Sequence, residues 1–297
     1  LRHDAALEQV HWATNRRGDW PDMRVFAFDH RMQIEALPGA TPDKIAAFKV
    51  LCLRACQAVA QGRPGYGILC DGRLGREALY RAAGTELWIG RPTERPGTRP
   101  LQLEPELGPD VGALGEWPLD HVVKVLCFYH PDDPKDLCAD QEQTVLRLFH
   151  TARRNRLEFL LELIPSKAGP VADDTTARAI RRFYDLGVYP DWWKLEPMTR
   201  DAAWTQTCAA ITDNDPHTRG IVVLGLASDE AALADSFKVA ARHSLVKGFA
   251  VGRTIFADAA AAYMLGKVTD ADAVAQMTDT YARLCAHWDS ARTNGEL

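Results

Sequence analysis

The chain has 297 residues, a formal charge of −5 and 46 % hydrophobic residues, enough apolar material for a substantial core. That acidic balance argues against a nucleic-acid or anionic-membrane partner, whose footprint is basic. No apolar run approaches the roughly 20 residues that cross a bilayer, and no signal-peptide pattern opens the sequence.

The seven cysteines include no Cys-x-x-Cys pair, Cys52 and Cys56 being the closest, so they read as reduced thiols of a cytoplasmic protein. The sequence opens at Leu1 without a methionine, as a piece of a longer polypeptide would. Residues 1–22 carry mixed charge, with one short helix expected from Ala5 to Thr14, ended by Arg16-Arg17-Gly18-Asp19. They read as a linker or lead-in, and 23–297 as the folded domain.

From there, short apolar runs alternate with longer amphipathic segments. Arg24 to Phe28 reads as a strand and Pro42 to Ala60 as a helix, with Thr41 as N-cap and Pro42 in the first turn. Tyr66 to Cys70 is a strand, Arg73 to Ala83 a helix, and Glu86 to Ile89 a strand before a Pro/Gly-rich loop through Trp117. His121 to Tyr129 and Leu157 to Ile164 are strands, followed by helices from Ala139 to Arg154 and from Thr175 to Leu186. The Lys194 strand precedes a helix from Asp201 to Ile211. Gly220 to Leu224 precedes one capped by Ser228 and running to Arg242. Lys247 to Val251 leads to a helix from Phe256 to Leu265, and a last helix spans Asp270 to Ala291. Eight strand–helix units in series predict an α/β fold, a (β/α)8 TIM barrel with an extra C-terminal helix; an open doubly wound sheet is the competitor.

In such a barrel the active site sits at the C-terminal ends of the strands. The segment Asp191-Trp192-Trp193-Lys194-Leu195-Glu196-Pro197 is a strand bounded by Pro190 and Pro197. Alternation puts Lys194 on one face with Trp192 and Glu196. Burial lowers an amine's pKa, and a neutral amine condenses with carbonyls. Lys124 on the fourth strand is expected to lower it further. Glu162, between the two lysines, would exchange protons with a substrate hydroxyl if its own pKa is raised. The three could equally form an internal salt-bridge network without turnover. Gly252-Arg253 after the eighth strand, with Gly225 after the seventh, has the pattern of a phosphate cradle: close backbone approach, a helix N-terminus and a charged fork. His30 and His130 with Asp29, Asp132 and Asp133 match no zinc spacing and read as solvated loop residues. Gly75, Gly84 and Gly90 assemble no dinucleotide fingerprint, and the tryptophans read as core or pocket wall.

Phe26-Ala27-Phe28-Asp29-His30-Arg31, the Asp-Trp-Trp-Lys-Leu-Glu-Pro segment and the closing Gly-Phe-Ala-Val-Gly-Arg-Thr-Ile-Phe together resemble a class I aldolase family that includes the tagatose-1,6-bisphosphate aldolases. Over residues 23 to 265 the chain also resembles the aldolase-like domain that follows the kinase in bifunctional 5-dehydro-2-deoxygluconokinase/aldolase proteins of myo-inositol catabolism. The resemblance implies a Schiff-base lysine at Lys194, a proton-shuttling glutamate at Glu162 and substrate contacts from Lys124, Asp29 and Arg31. His30 stands where the family has glutamine. Gly252 and Arg253 match the phosphate end, and the seventh strand ends Val-Leu-Gly-Leu-Ala in place of a serine-containing loop. It further implies cleavage of 6-phospho-5-dehydro-2-deoxygluconate, with no metal or organic cofactor. The partners implied are that phosphorylated keto-sugar acid and an upstream sugar-kinase module; homo-oligomer formation is left open. The rival readings are a metal-dependent lyase using His30 or His130, and a non-catalytic sugar-phosphate-binding barrel that regulates the kinase.

Overall fold

Short runs rich in β-branched and aromatic residues, separated by turn signals, form the strands, and helical segments of longer period carry the chain back between them. The computed structural model describes residues 4–295. The first elements are α1 (Ala5–Asn15), β1 (Met23–Ala27), α2 (Met32–Glu35), α3 (Pro42–Ala60), β2 (Tyr66–Leu69) and α4 (Arg76–Ala82). Then come β3 (Trp88–Pro92), β4 (His121–Cys127), α5 (Lys135–Arg154), β5 (Glu158–Leu163), α6 (Thr175–Asp185) and β6 (Trp192–Leu195). The chain closes with α7 (Asp201–Thr212), β7 (Gly220–Leu224), α8 (Glu230–Ala240), β8 (Val246–Val251), α9 (Arg253–Met264) and α10 (Asp270–Gly295).

The strands are all parallel and pair in chain order, with β1 also pairing β8, so the sheet closes into a (β/α)8 barrel. One face of each strand points inward. Met23, Val25, Ala27, Leu69, Val122, Leu160, Val222 and Ala250 fill the interior, with Trp88 and Trp192 crossing edge to face at 6.1 Å. The opposite faces pack on the helical ring, burying residues such as Phe26, Phe159 and Trp193. A buried indole contributes roughly 3–5 kcal/mol against truncation, so this tryptophan pair is a rigid floor.

Several boundaries differ from expectation, each for a local reason. β3 starts two residues and ends three residues further on than its apolar run suggested, because β4 offers parallel partners as far as Pro92↔Lys124. The helix expected at Arg73 starts at Arg76, since the Asp71 carboxylate accepts the Leu74 N–H at 2.7 Å and holds a turn first. Asp229, not Ser228, caps α8, accepting from the Ala232 N–H at 2.8 Å, while Gly225 and Ser228 close a tight turn. The helix expected from Phe256 already begins at Arg253. The loop from β3 to β4 carries two 3-10 turns, Pro105–Leu107 and Gly112–Glu116, rather than an α-helix.

The lead-in also has structure; its first three residues lie outside the described ones. α1 is fixed to the base of the barrel by the buried Asp191 carboxylate, which accepts from Trp12 Nε1 at 2.7 Å and Arg16 at 3.1 Å. α10 packs on its own barrel against α3, α8 and α9. The Tyr281 hydroxyl donates to the Arg24 carbonyl at 2.6 Å, and Trp288 Nε1 to Asp22 at 2.8 Å. No helix among the described residues is long and apolar enough to cross a membrane.

Candidate active site

Two residues beyond the apolar layer, on the same inward faces, four strand ends turn charged. Ala27 is followed by Asp29, Val122 by Lys124, Leu160 by Glu162 and Trp192 by Lys194. Register then sets who meets whom. Glu162 pairs laterally with Lys194, so their side chains leave the sheet at one level, and Lys194 Nζ lies 2.8 Å from Glu162 Oε1. Lys124 pairs with Leu160, one layer lower, and its longer reach brings Nζ within 2.9 Å of Glu162 Oε2. The same ammonium lies 3.2 Å from Asp29 and 2.9 Å from Glu94. The sequence-predicted Lys194, Glu162, Lys124 and Asp29 are therefore one buried cluster.

Glu94 was not singled out from the sequence. It lies on the inward alternation that begins at Trp88 and runs through Gly90 and Pro92, the same signal that places Lys194. Its Oε1 accepts from Lys124 and, at 2.8 Å, from Arg31; its Oε2 accepts the Leu126 N–H at 3.0 Å. Arg31 stands beside this carboxylate and lines the cavity above the cluster. Its terminal nitrogens are held by the Glu94 side chain and carbonyl and, at 2.9 Å, by Glu104, so it braces Glu94. Lys49, fully buried on α3, was also missed. It donates to the Phe28 carbonyl at 2.9 Å and the His30 carbonyl at 3.1 Å and pairs with Asp71, which fixes the loop carrying Asp29.

These contacts decide the charge states. Burial works against ionisation of Glu162, but Lys124 and then Lys194 outweigh it and hold the carboxyl below its ordinary range. The raised pKa set as a condition for proton exchange is not met; the shift runs the other way and favours the carboxylate, the form that acts as a base. Asp29 is held well below its ordinary value against burial, chiefly by Lys124 and then Lys194. Burial disfavours the Lys124 ammonium, yet Glu162, Glu94 and Asp29 raise its pKa. Lys124 therefore faces Lys194 as part of a compensated cluster, not as the bare cation expected to destabilise a second charge. His30 is neutral, its pKa pushed down to about 4 by burial, with Asp29 opposing and Lys194 and Arg253 assisting.

Above the cluster a cavity of about 280 Å³ opens, lined on one side by Gly225, Gly252, Arg253 and Thr254. A β-carbon on Gly252 would lie 2.0 Å from the Ala27 carbonyl oxygen and 2.7 Å from His30 Cε1, so only glycine fits there. Arg253 opens the 12-residue α9, whose N-terminal dipole favours an anion. Thr254 donates to the Ser228 carbonyl at 2.7 Å, tying the β7 loop to the start of α9. In that loop Leu226 and Ala227 take left-handed backbone (φ 48° and 61°), a conformation that clusters at ligand sites.

The histidine-containing loops do not converge. His130 is buried rather than solvated, its Nε2 2.8 Å from the Pro170 carbonyl and its Nδ1 accepting the Asp132 N–H at 3.2 Å. Among the described residues no group of three His, Cys, Asp or Glu is placed to hold a metal ion. A larger cavity, about 840 Å³, lies at the opposite end beneath α1. The carboxyl groups of buried Asp191 and half-buried Glu158 already lie against Arg16, Arg153 and Arg219, and no lysine is among the described residues that line it. The smaller cavity is the one with the chemistry.

The family model described as "Uncharacterized protein conserved in bacteria (DUF2090)" matches residues 1–292. No curated protein sequence matches. Among solved structures, a fructose-bisphosphate aldolase from Plasmodium falciparum, in complex with TRAP and a small-molecule inhibitor, is similar at a TM-score of 0.62 and 15 % identity, over 97 % of this chain and 96 % of that one. Cgl0159 from Corynebacterium glutamicum is similar at a TM-score of 0.57 and 18 % identity, over 94 % and 92 %. At these identities the likeness is one of fold.

Proposed function

The chain belongs to that bacterial DUF2090 family, and we propose that it is a class I, Schiff-base aldolase acting on a phosphorylated keto-sugar acid. The observation that carries this reading is a buried amine, Lys194 Nζ, held 2.8 Å from a glutamate whose carboxyl is kept below its ordinary range, at the C-terminal mouth of a barrel beneath the strand end that carries Gly252 and Arg253. Schiff-base chemistry needs that pairing of nucleophile and proton acceptor.

In the reaction, Lys194 transfers a proton to Glu162 and attacks the substrate ketone; Glu162 returns that proton to the carbinolamine hydroxyl, which leaves as water to give the iminium and the ionised Glu162. With 6-phospho-5-dehydro-2-deoxygluconate, the substrate that the sequence resemblance implies, the ketone is C5. Ionised Glu162 takes the C3 hydroxyl proton, the C3–C4 bond breaks, and its electrons flow into the iminium as an enamine. Malonate semialdehyde leaves; protonation at C4 and hydrolysis release dihydroxyacetone phosphate and regenerate the amine. Arg253 and the backbone at Gly252 hold the phosphate, turning remote binding energy into alignment of the reacting bond. Lys124, fixed by Asp29 and Glu94, keeps Glu162 ionised between turnovers.

The test is borohydride reduction in the presence of dihydroxyacetone phosphate, with intact mass and peptide mapping. A secondary-amine adduct on Lys194, absent in Lys194→Ala, is expected. An adduct on Lys124 would exchange the lysine roles, and full turnover in Lys194→Ala would remove the mechanism.

A further inference from the structure

Five lysine and arginine side chains line the mouth cavity, and three are engaged by protein: Arg31 with Glu94 and Glu104, Lys124 with Asp29, Glu94 and Glu162, and Lys194 with Glu162. Among the described residues the other two, Arg253 and Lys167, make no side-chain hydrogen bond or ion pair. They stand apart in the chain, Arg253 at the start of α9 after β8 and Lys167 on the turn after β5. Lys167 ends the 3-10 turn Pro165–Lys167, and that turn is built into the site. Glu196, next on the inward alternation after Lys194, accepts the Ser166 N–H at 3.0 Å and the Ser166 hydroxyl. The Ile164 and Pro165 carbonyls accept the next two N–H groups, from Lys167 and Ala168, at 3.3 and 2.8 Å. With Ser166 pinned this way, the base of the Lys167 side chain is held at the rim.

The floor of the cavity has no positive charge to give. Asp29, Glu94 and Glu162 oppose Lys124 and Lys194, and Arg31 is shared between Glu94 and Glu104. A second anionic group on a ligand would be repelled from that floor and met only at the rim. We propose that Lys167 is a specificity-determining residue, receiving a carboxylate at the far end of the carbon chain whose phosphate Arg253 receives. An ammonium on a three-residue turn, its charge felt by the Glu196 carboxylate, offers a point charge without the helix N-terminus that follows Gly252, which suits a carboxylate over a second phosphate. The assignment deepens the aldolase reading and rests on it for the phosphate end.

Calorimetric titration of the full chain with two ketone-free probes tests it: 6-phosphogluconate, carrying both anions, and glucitol 6-phosphate, carrying only the phosphate. The wild type should bind 6-phosphogluconate about tenfold more tightly, the effect of one charge-assisted contact. Lys167→Gln should lose that preference while keeping its affinity for glucitol 6-phosphate, and Arg253→Gln should weaken both probes. The assignment is overturned if the wild type shows no preference, if Lys167→Gln retains it, or if that variant weakens both probes alike. Neither probe forms an iminium, so a failed borohydride experiment with this pattern intact would remove the aldolase chemistry and leave the Lys167 assignment standing.

Discussion

At the scale of single residues, the site is a set of charges that hold one another in place. Glu94 shows it best, since one buried carboxylate serves Arg31, Lys124 and the Leu126 backbone. Removing one partner from such a network strands the others, at a cost of about 3–5 kcal/mol. Glu94→Leu should lower the urea midpoint correspondingly; an unchanged midpoint would mean that Arg31 and Lys124 find other counterions. Acid should act on the same network. Asp29 and Glu162 are held below their ordinary values of 3.8 and 4.5, so their stabilisation is present above those values and is lost as pH falls through and below them. Glu162→Gln should flatten the acid limb of the stability profile and slow the C–C cleavage step by 10²-fold or more, the usual size of a general-base loss. Gly252→Ala belongs here too. Its new methyl would collide with the Ala27 carbonyl oxygen, so phosphate-probe affinity should fall even if the variant folds.

At the scale of elements, the base of the barrel has its own polar centre. Asp191, at the entry to β6, accepts from Trp12 and Arg16 of the lead-in, Arg153 of α5 and the Phe159 N–H of β5. Arg153 also stacks on the Trp12 ring at 4.1 Å, so the first helix is held by hydrogen bonds and by cation–π contact. Trp12→Ala should raise amide exchange across Ala5–Asn15 and leave exchange in β4 to β6 nearly unchanged. Beside Asp191 stands Glu158, whose carboxyl burial raises to about 7, with Asp191 adding and Arg219 opposing. Trp192 Nε1 donates to it at 3.1 Å, and Arg16 is the further cation facing it. The folded chain therefore keeps a proton that the unfolded chain releases near 4.5, and Glu158's stabilising contribution is lost as pH rises from about 4.5 to about 7. Thermal melts across that window should fall more steeply for the wild type than for Glu158→Gln; parallel slopes would show that the proton is not held.

At the scale of the whole molecule, the division between local and long-range information is plain. The amino-acid sequence by itself determined the eight strands, the helices that follow most of them and the barrel they predict, because apolar period and capping chemistry are written within a few residues. It also determined that Lys124, Glu162 and Lys194 lie on barrel strands near their C-terminal ends, whereas Asp29, read among solvated loop residues, is buried with them. The four-residue α2, the start of α8 at Asp229 and the reach of β3 to Pro92 escaped it, being set by turns and by a neighbouring strand. Only the tertiary structure decided that Glu162 sits level with Lys194, that Glu94 arrives beside Lys124, that Arg31 is engaged by Glu94 and Glu104, and that α1 and α10 dock on this barrel. Those outcomes depend on register and closure. Both are properties of the assembled sheet, in which a shift of one strand by one residue would reverse every inward face without changing any local pattern.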